Sequence, residues 1–485
     1  MHGKTLIADY WDQKIKISVP GDVFLGEVKD PPLLSDPERA VRGAIANPIG
    51  SEPLSELARR ARNGKVTIAF DDPSRPAKPR KLIIPIVIEE LLKAGVKEEN
   101  IFLLSASGNH CKWTLAQLKD CLGPKIFDRF SPLGSASKVL NHDCHDPKGL
   151  VYMGVSEMGD YTEYNRLLLD SDLFIYVGTV VSSNWGGMTG TGVVIGLASA
   201  RSMTSTHGFP VIGHPDSCHG DHRSMLYRAH KQAIMKQIEK FTNKRVFFID
   251  TILGAGGELA GVFSGYSPEI NESTWELAEK LFQLEVPQAD VFIVGVPRYL
   301  LYGESSNPLI SLAAACAPVR MWINKPVLRD GGVIIALTHC DGTIDERAHS
   351  SYPEIIELNR RGFSAEDLSL HYEQEFLYRE DLIFKYRHCY AYAPVHGFWL
   401  FYESQYGLDR ASRVIFAGVP GMDNPLAKVQ VSGRGGPGAV RDLGGVPAKD
   451  FDHAWKLAEQ IVGKNPKVLA CPQFWTKVRP QFVVK

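Results

Sequence analysis

From about residue 65 onward, short apolar runs rich in β-branched residues alternate with stretches whose apolar positions recur every three to four residues. That alternation is the pattern of a parallel sheet whose strands are joined by covering helices. Strands are expected at residues 66–70 (VTIAF), 101–104, 151–153, 173–177, 246–249, 291–295, 333–337, 414–416 and 468–470. Most of them precede a turn and a helix. Residues 81–94 read as a helix with Pro85 in its first turn, where a missing N–H is tolerated, and with Gly95 as its C-terminal cap.

Residues 254–269 are glycine-rich and precede a clean amphipathic pattern at 273–284, after which the strand–helix alternation restarts. The expected division is a domain of residues 1–270 and a second of residues 271–485. The fold class is α/β, each domain a largely parallel sheet flanked by helices, with a cleft between them. A second glycine-rich stretch, residues 432–445 (SGRGGPGAVRDLGG), reads as a surface loop.

A chain of 485 residues exceeds the usual domain size of about 100 to 250, which agrees with two domains. Its net charge of -1 and lack of a basic run give no attraction for nucleic acid or an anionic membrane. The first 20 residues mix Lys, Asp and Trp with apolar residues, unlike a signal peptide, and no run approaches a membrane span. Eight scattered cysteines without a CxxC pair fit reduced thiols in a cytoplasm. The expected partner is a small molecule, and the oligomeric state stays open.

Open α/β sheets bind ligands at the carboxyl ends of their strands, and three strings there, with a histidine cluster downstream, carry chemistry. DDPSRP (71–76) offers Asp72, Ser74 and Arg75; alone it also reads as a turn closed by an internal Asp–Arg pair. SASGNH (105–110) places His110 after a glycine, where it is either a proton-transfer group or a loop histidine bonded to its neighbours. The run 178–196 (GTVVSSNWGGMTGTGVVIG) offers Asn184, Gly187, Thr189, Gly190 and Thr191 to an anion, or is a tight packing loop, since neither Walker nor GxGxxG spacing is present. His207 is followed by His214, His219 and His222 with Asp216 and Asp221 between them, a set that suits nickel or zinc but lacks HExxH spacing.

Three strings in order, DDPSRPAKPRKLIIPIVIEELLKAGV, SGNHCKWT and NHDCHDPKGLVYMGVSEMGDYTEYNRLLLDSDLFIYVG, resemble the nickel-pincer nucleotide lactate racemase family over about residues 65–210. VFIVGVPRYL and LRDGGVIIALTHCDGTID resemble strands of that family's second domain. The resemblance implies a pyridinium-derived pincer nucleotide that holds nickel together with a histidine and takes hydride from C2 of a 2-hydroxy acid. It assigns His207 to the metal, His110 to acid/base work and Arg75 to anchoring substrate or cofactor. It also leaves Ser74 and the loop residues named above to grip the cofactor. The family's loop reads roughly EPHxxAGFSGGRK, whereas this chain has VVSSNWGGMTGTG. Val181 stands at the place of the second histidine and Thr191 at the place of the tethering lysine, so the cofactor is expected to bind noncovalently. Asp72, His339 or a water remain as the second acid/base. A further family lysine is absent near residues 307–315, which implies a substrate other than lactate. The alternatives are a non-catalytic nucleotide- or hydroxy-acid-binding protein and a His/Asp metal-dependent hydrolase built on His207, His214, His219 and Asp221.

Overall fold

In a computed structural model, residues 3–132, 136–183, 185, 187–423 and 435–485 are described. Two sheets organise the chain. The first has six strands in the order Leu259–Gly265, Phe247–Leu253, Leu173–Val180, Val66–Asp71, Ile101–Ala106 and Val139–Asn141. All neighbours are parallel except the edge strand Leu259–Gly265. Its central strands are buried on both faces, which is why they read as unbroken apolar runs rather than alternating ones. The helix Lys78–Lys93 buries Ile83, Ile84, Val87, Ile88 and Leu91 against one face, in a core shared with Ile68, Phe70 and Val177.

The second sheet runs Val446–Ala448, Ala411–Ala417, Leu328–Leu337, Ala289–Pro297, Lys4–Trp11 and Gln13–Val19, with Lys467–Cys471 pairing both Ala289–Pro297 and Asp22–Leu25. It is parallel apart from the N-terminal hairpin. Buried residues of both bodies, among them Ala69 and Trp185 of the first and Phe292, Ile334 and Trp399 of the second, belong to one contiguous core. Among the described residues, no helix is long and apolar enough to cross a membrane.

Five expectations change. Residues 4–25 pair into the second sheet, so the first domain does not begin at residue 1. The helix Glu269–Phe282 buries Trp275 and Phe282 beside Val180 and Ile252 of the first sheet, and only Gln283–Val286 turns to pair with the C-terminal strand Gln481–Val484. The chain therefore crosses between the two bodies after Phe282, not at 270. Pro85 lies inside the helix Lys78–Lys93, whose first turn is opened by Pro79. Within the glycine-rich stretch, Gly436–Asp442 forms a helix that buries Pro437, Ala439 and Val440, because a proline in the first turn starts a helix as readily as it ends one. Residues 432–434 lie outside the described set. The strand expected at 151–153 is present as Leu150–Val155, but it pairs with Tyr161–Asn165 in a separate hairpin.

Candidate active site

The carboxyl ends of Val66–Asp71, Ile101–Ala106 and Leu173–Val180 open on a cavity of about 160 Å³, closed from above by the N-terminus of the helix His396–Arg410. Beneath the DDPSRP turn lies Arg80, 1% exposed, which binds Asp71 at 2.8 Å and the carbonyls of Asp72, Pro73 and Arg75 at 3.3, 3.3 and 2.7 Å. The ion pair read into this string is thus made by an arginine outside it. Arg75 keeps its guanidinium for the cavity wall, with no carboxylate partner among the described residues.

Asp72 accepts the Ser74 N–H at 2.6 Å and lies 2.5 Å from His110 Nδ1. Burial raises its carboxyl, but the His110 ring and the His110 and Ser74 hydrogen bonds outweigh burial and hold it below the ordinary carboxylate range. The carboxylate fixes His110 with Nδ1–H toward Asp72 and leaves Nε2 as a base. Gly108 makes the approach possible: its φ of +54° is the left-handed region, and a Cβ there would lie 2.9 Å from the Ile195 carbonyl.

The strand-end loop also docks on the second body. Asn109 O accepts the Ala393 N–H at 3.0 Å, and this brings His396 to 5.2 Å from His110 between ring centroids. His396 is 4% exposed, and its Nδ1 lies 2.7 Å from the Tyr352 hydroxyl. Burial holds the Tyr352 phenol well above its usual range and the His396 imidazole well below. A phenol that keeps its proton donates to Nδ1, so His396 carries Nε2–H. The two imidazoles thus present a base and an N–H donor side by side. Asn109 is buried on the same wall with Oδ1 and Nδ2 unpartnered among the described residues, so its amide is available to a ligand.

His207, at the end of the helix Ala200–His207, faces the cavity between Trp185 and Trp399, with centroids at 4.4 and 5.3 Å. The Thr206 hydroxyl donates to Met203 O at 3.2 Å and accepts His207 Nδ1–H at 2.9 Å, which leaves Nε2 unprotonated. Burial, with Lys231 and His110 adding to it, pushes this imidazole down to about 3.

The floor is formed by Asp250 and Lys231. Lys231 donates to Gly190 O at 2.7 Å, and burial holds its amine well below the usual lysine range. Asp250 Oδ2 is buried without a partner among the described residues, and burial raises the carboxyl to about 7 although Lys231 opposes this.

The other expected residues fall as follows. Thr189 and Gly190 line the cavity. The Thr189 hydroxyl ties Val181 N to Thr179 O at 2.9 Å each, and Ser74 lines an adjoining cavity with Oγ unpartnered among the described residues. Gly187 packs against His222, where a Cβ would meet its Cβ at 2.2 Å, and Thr191 turns away to Asn271 and Ser267 at 3.0 and 3.3 Å. Those two residues line neither cavity. Asn184 lies outside the described residues. His339 packs on Trp11 at 4.5 Å, away from the site. His214 and His219 accept backbone N–H groups of Asp216 and Asp221 at 3.2 and 3.1 Å, and His222 is buried 4.5 Å from Trp275. Among the described residues no group of three or more His, Cys, Asp or Glu could hold a metal, so the alternative hydrolase cluster of His207, His214, His219 and Asp221 is not assembled. The sequence reading missed His396, Tyr352, Asp250, Lys231 and Trp399. The run YAYAPVHGFW was the available signal for His396, but it lies on no strand end.

Residues 10–220 match the lactate racemase N-terminal domain. Over 314 residues the chain is 24% identical to the lactate racemase of Thermoanaerobacterium thermosaccharolyticum, a stretch covering 62% of this chain and 66% of that enzyme. Over 264 residues it is 26% identical to the lactate racemase of Lactiplantibacillus plantarum, covering 53% and 57%. Over these stretches the chain is similar to lactate racemases. The matched stretches span less than two thirds of the relatives' own length. The fold is shared more widely: the lactate racemase apoprotein of T. thermosaccharolyticum superposes with a TM-score of 0.70 at 20% identity, covering 99% of this chain and all of that one. A Thermotoga maritima protein does so at 0.54 and 17%, covering 95% of this chain. The α/β architecture in two sheets is therefore that of lactate racemase.

Proposed function

We propose that the chain is an isomerase that inverts C2 of a 2-hydroxy acid other than lactate, using a noncovalently held nickel-pincer nucleotide. The observation that carries the reading is the meeting of His110 Nε2 and His396 Nε2–H over one cavity, 5.2 Å apart by ring centroids, with a third, neutral imidazole facing them. A base beside an N–H donor is complementary to one oxygen that cycles between hydroxyl and carbonyl.

The donors suit the cofactor. An unprotonated imidazole is a nickel ligand, and a site with His207 as its protein donor calls for a metal that brings its other ligands with it. Asp250 Oδ2 suits the hydroxyls of a ribose, and Ser74, Thr189 and Gly190 stand nearby. When bound, the cofactor supplies a hydride acceptor and donor for C2. The chain does the rest. His110 Nε2 takes the hydroxyl proton, and Asp72 stabilises the resulting imidazolium. His396 Nε2–H donates to the same oxygen as it becomes a carbonyl. Asn109 and Arg75 hold the carboxylate, and Trp185 and Trp399 keep water from the reacting carbon.

Metal analysis and released-ligand mass spectrometry test the reading on protein co-expressed with the cofactor-making enzymes, beside His207→Ala. Stoichiometric nickel and a nucleotide released without covalent attachment, both lost in the variant, are expected. Protein with neither, next to a loaded lactate racemase control, would sink the proposal.

A further inference from the structure

A second cavity, of about 450 Å³, adjoins the first between the two bodies, and Arg75, Thr179 and Tyr302 line both. Tyr302 is 5.3 Å from His110 and 5.1 Å from His396 between ring centroids, so it stands at the passage from the reacting site into this space. With the hydroxyl at the two imidazoles and the carboxylate on Arg75 and Asn109, the remaining carbon substituent of C2 has this passage to follow. The charges on the wall beyond are engaged. Lys477 donates to Glu27 at 2.5 Å, and Arg479 and Glu403 both have partners within the protein. The apolar part of the wall includes Leu300, Leu301, Ile310, Ala313, Ala314 and Val478. Ile310 and the two alanines come from the helix Pro308–Cys316, whose residues are all buried and uncharged. Small side chains there leave a width that larger ones would fill. An apolar cavity of about 150 Å³ already holds a benzene ring, so the methyl of lactate would leave most of this apolar wall uncovered.

We propose that this cavity receives an apolar tail of the substrate, so that the acid turned over carries an alkyl chain or an aromatic ring beyond C2 and no charge there. The inference rests on the 2-hydroxy-acid reading and names its substrate class. Ala313 and Leu301 are then residues that set specificity without touching the reacting atoms.

Calorimetric titration is run on the purified protein and on protein co-expressed with the cofactor-making enzymes, as wild type, Ala313→Leu and Leu301→Asp, with thermal melts to verify folding. The probes are lactate, 2-hydroxybutanoate, 2-hydroxyhexanoate, phenyllactate, malate and hexanoate. Affinity should rise about fourfold for each methylene added between lactate and 2-hydroxyhexanoate, with phenyllactate also above lactate and malate not. Both variants should abolish the rise and leave lactate binding unchanged, Ala313→Leu by filling the cavity and Leu301→Asp by charging its wall. Lactate bound with no gain from a longer tail, or malate bound most tightly, overturns this inference and spares the 2-hydroxy-acid reading. A rise with tail length that both folded variants leave intact places the tail elsewhere and also overturns it. Hexanoate bound as tightly as 2-hydroxyhexanoate overturns both, since the hydroxyl then contributes nothing at His110, and so does the failure of every acid to bind either preparation.

Discussion

Replacing Asp250 with asparagine should stabilise the ligand-free protein, and increasingly so as pH rises. Asp250 is 2% exposed, its Oδ2 lacks a partner among the described residues, and its carboxyl is raised from 3.8 to about 7, first by burial. A raised carboxyl binds its proton more tightly in the folded than in the unfolded state. Below about pH 4 both states are protonated and there is no penalty. Between there and about 7 the unfolded chain has released a proton that the folded chain retains, so stability falls as pH rises. The rise in pKa corresponds to about 4 kcal/mol once pH passes the folded value. Asparagine has the same shape and no charge, so it mimics the protonated acid at every pH. Urea unfolding followed by tryptophan fluorescence should show a gain of about 2 kcal/mol at pH 5, growing to about 4 kcal/mol at pH 8. Equal gains at both pH values, or a loss, would show that the carboxylate has a compensating cation and that the floor of the site is not kept at a cost to stability.

Other outcomes follow from the same geometry. Asp72→Asn should lower kcat about 10²- to 10⁴-fold on whatever hydroxy acid is turned over, with KM changed little, because it misorients His110 without removing an anion anchor. His396→Phe should slow turnover less than His110→Asn, since it removes a donor and spares the base; the reverse order in kcat would exchange their roles. Arg80→Met should destabilise the fold by about 3 to 5 kcal/mol in urea unfolding, because it strands Asp71 and three carbonyls. In the Asp250→Asn background, stability should fall as pH drops from 7 to 5. Burial depresses His142 to about 4 and His207 to about 3, so the unfolded chain gains protons there that the folded one refuses. The fall is up to about 2 kcal/mol per such histidine, and a flat profile would contradict their burial in neutral form.

The sheets were legible because their strands are buried on both faces and leave unbroken apolar runs such as VTIAF. The N-terminal hairpin was legible in principle, since KTLIADYW and QKIKISV alternate along half-buried strands. Which sheet it joins was not, because pairing Tyr10 with Val296 spans nearly 300 residues and no local pattern encodes it. The site divides along the same line. Asp72, Arg75 and His110 follow strand ends, where position in the chain already implies position in space. His396, Tyr352 and Asp250 reach the cavity through contacts between bodies, through a neighbouring aromatic, or from inside a strand. The glycine loop misled for a different reason. Its composition suits an anion cradle, yet at Gly187, Gly192 and Gly196 a Cβ would strike His222, Tyr176 and Ala106, so these glycines serve close packing.

The most direct measurement is the fate of the C2 hydrogen. An enantiopure 2-deuterated 2-hydroxy acid is incubated in light water with cofactor-loaded protein, and configuration is read by chiral chromatography and label by ¹H NMR. Inversion with the deuterium retained at C2 is the result the proposed hydride chemistry predicts, with only the hydroxyl proton passing through His110. Inversion with the label washed out would mean proton abstraction from carbon and contradict the mechanism. Absence of inversion for all such acids, with a loaded lactate racemase active alongside, would leave a binding protein on a racemase fold.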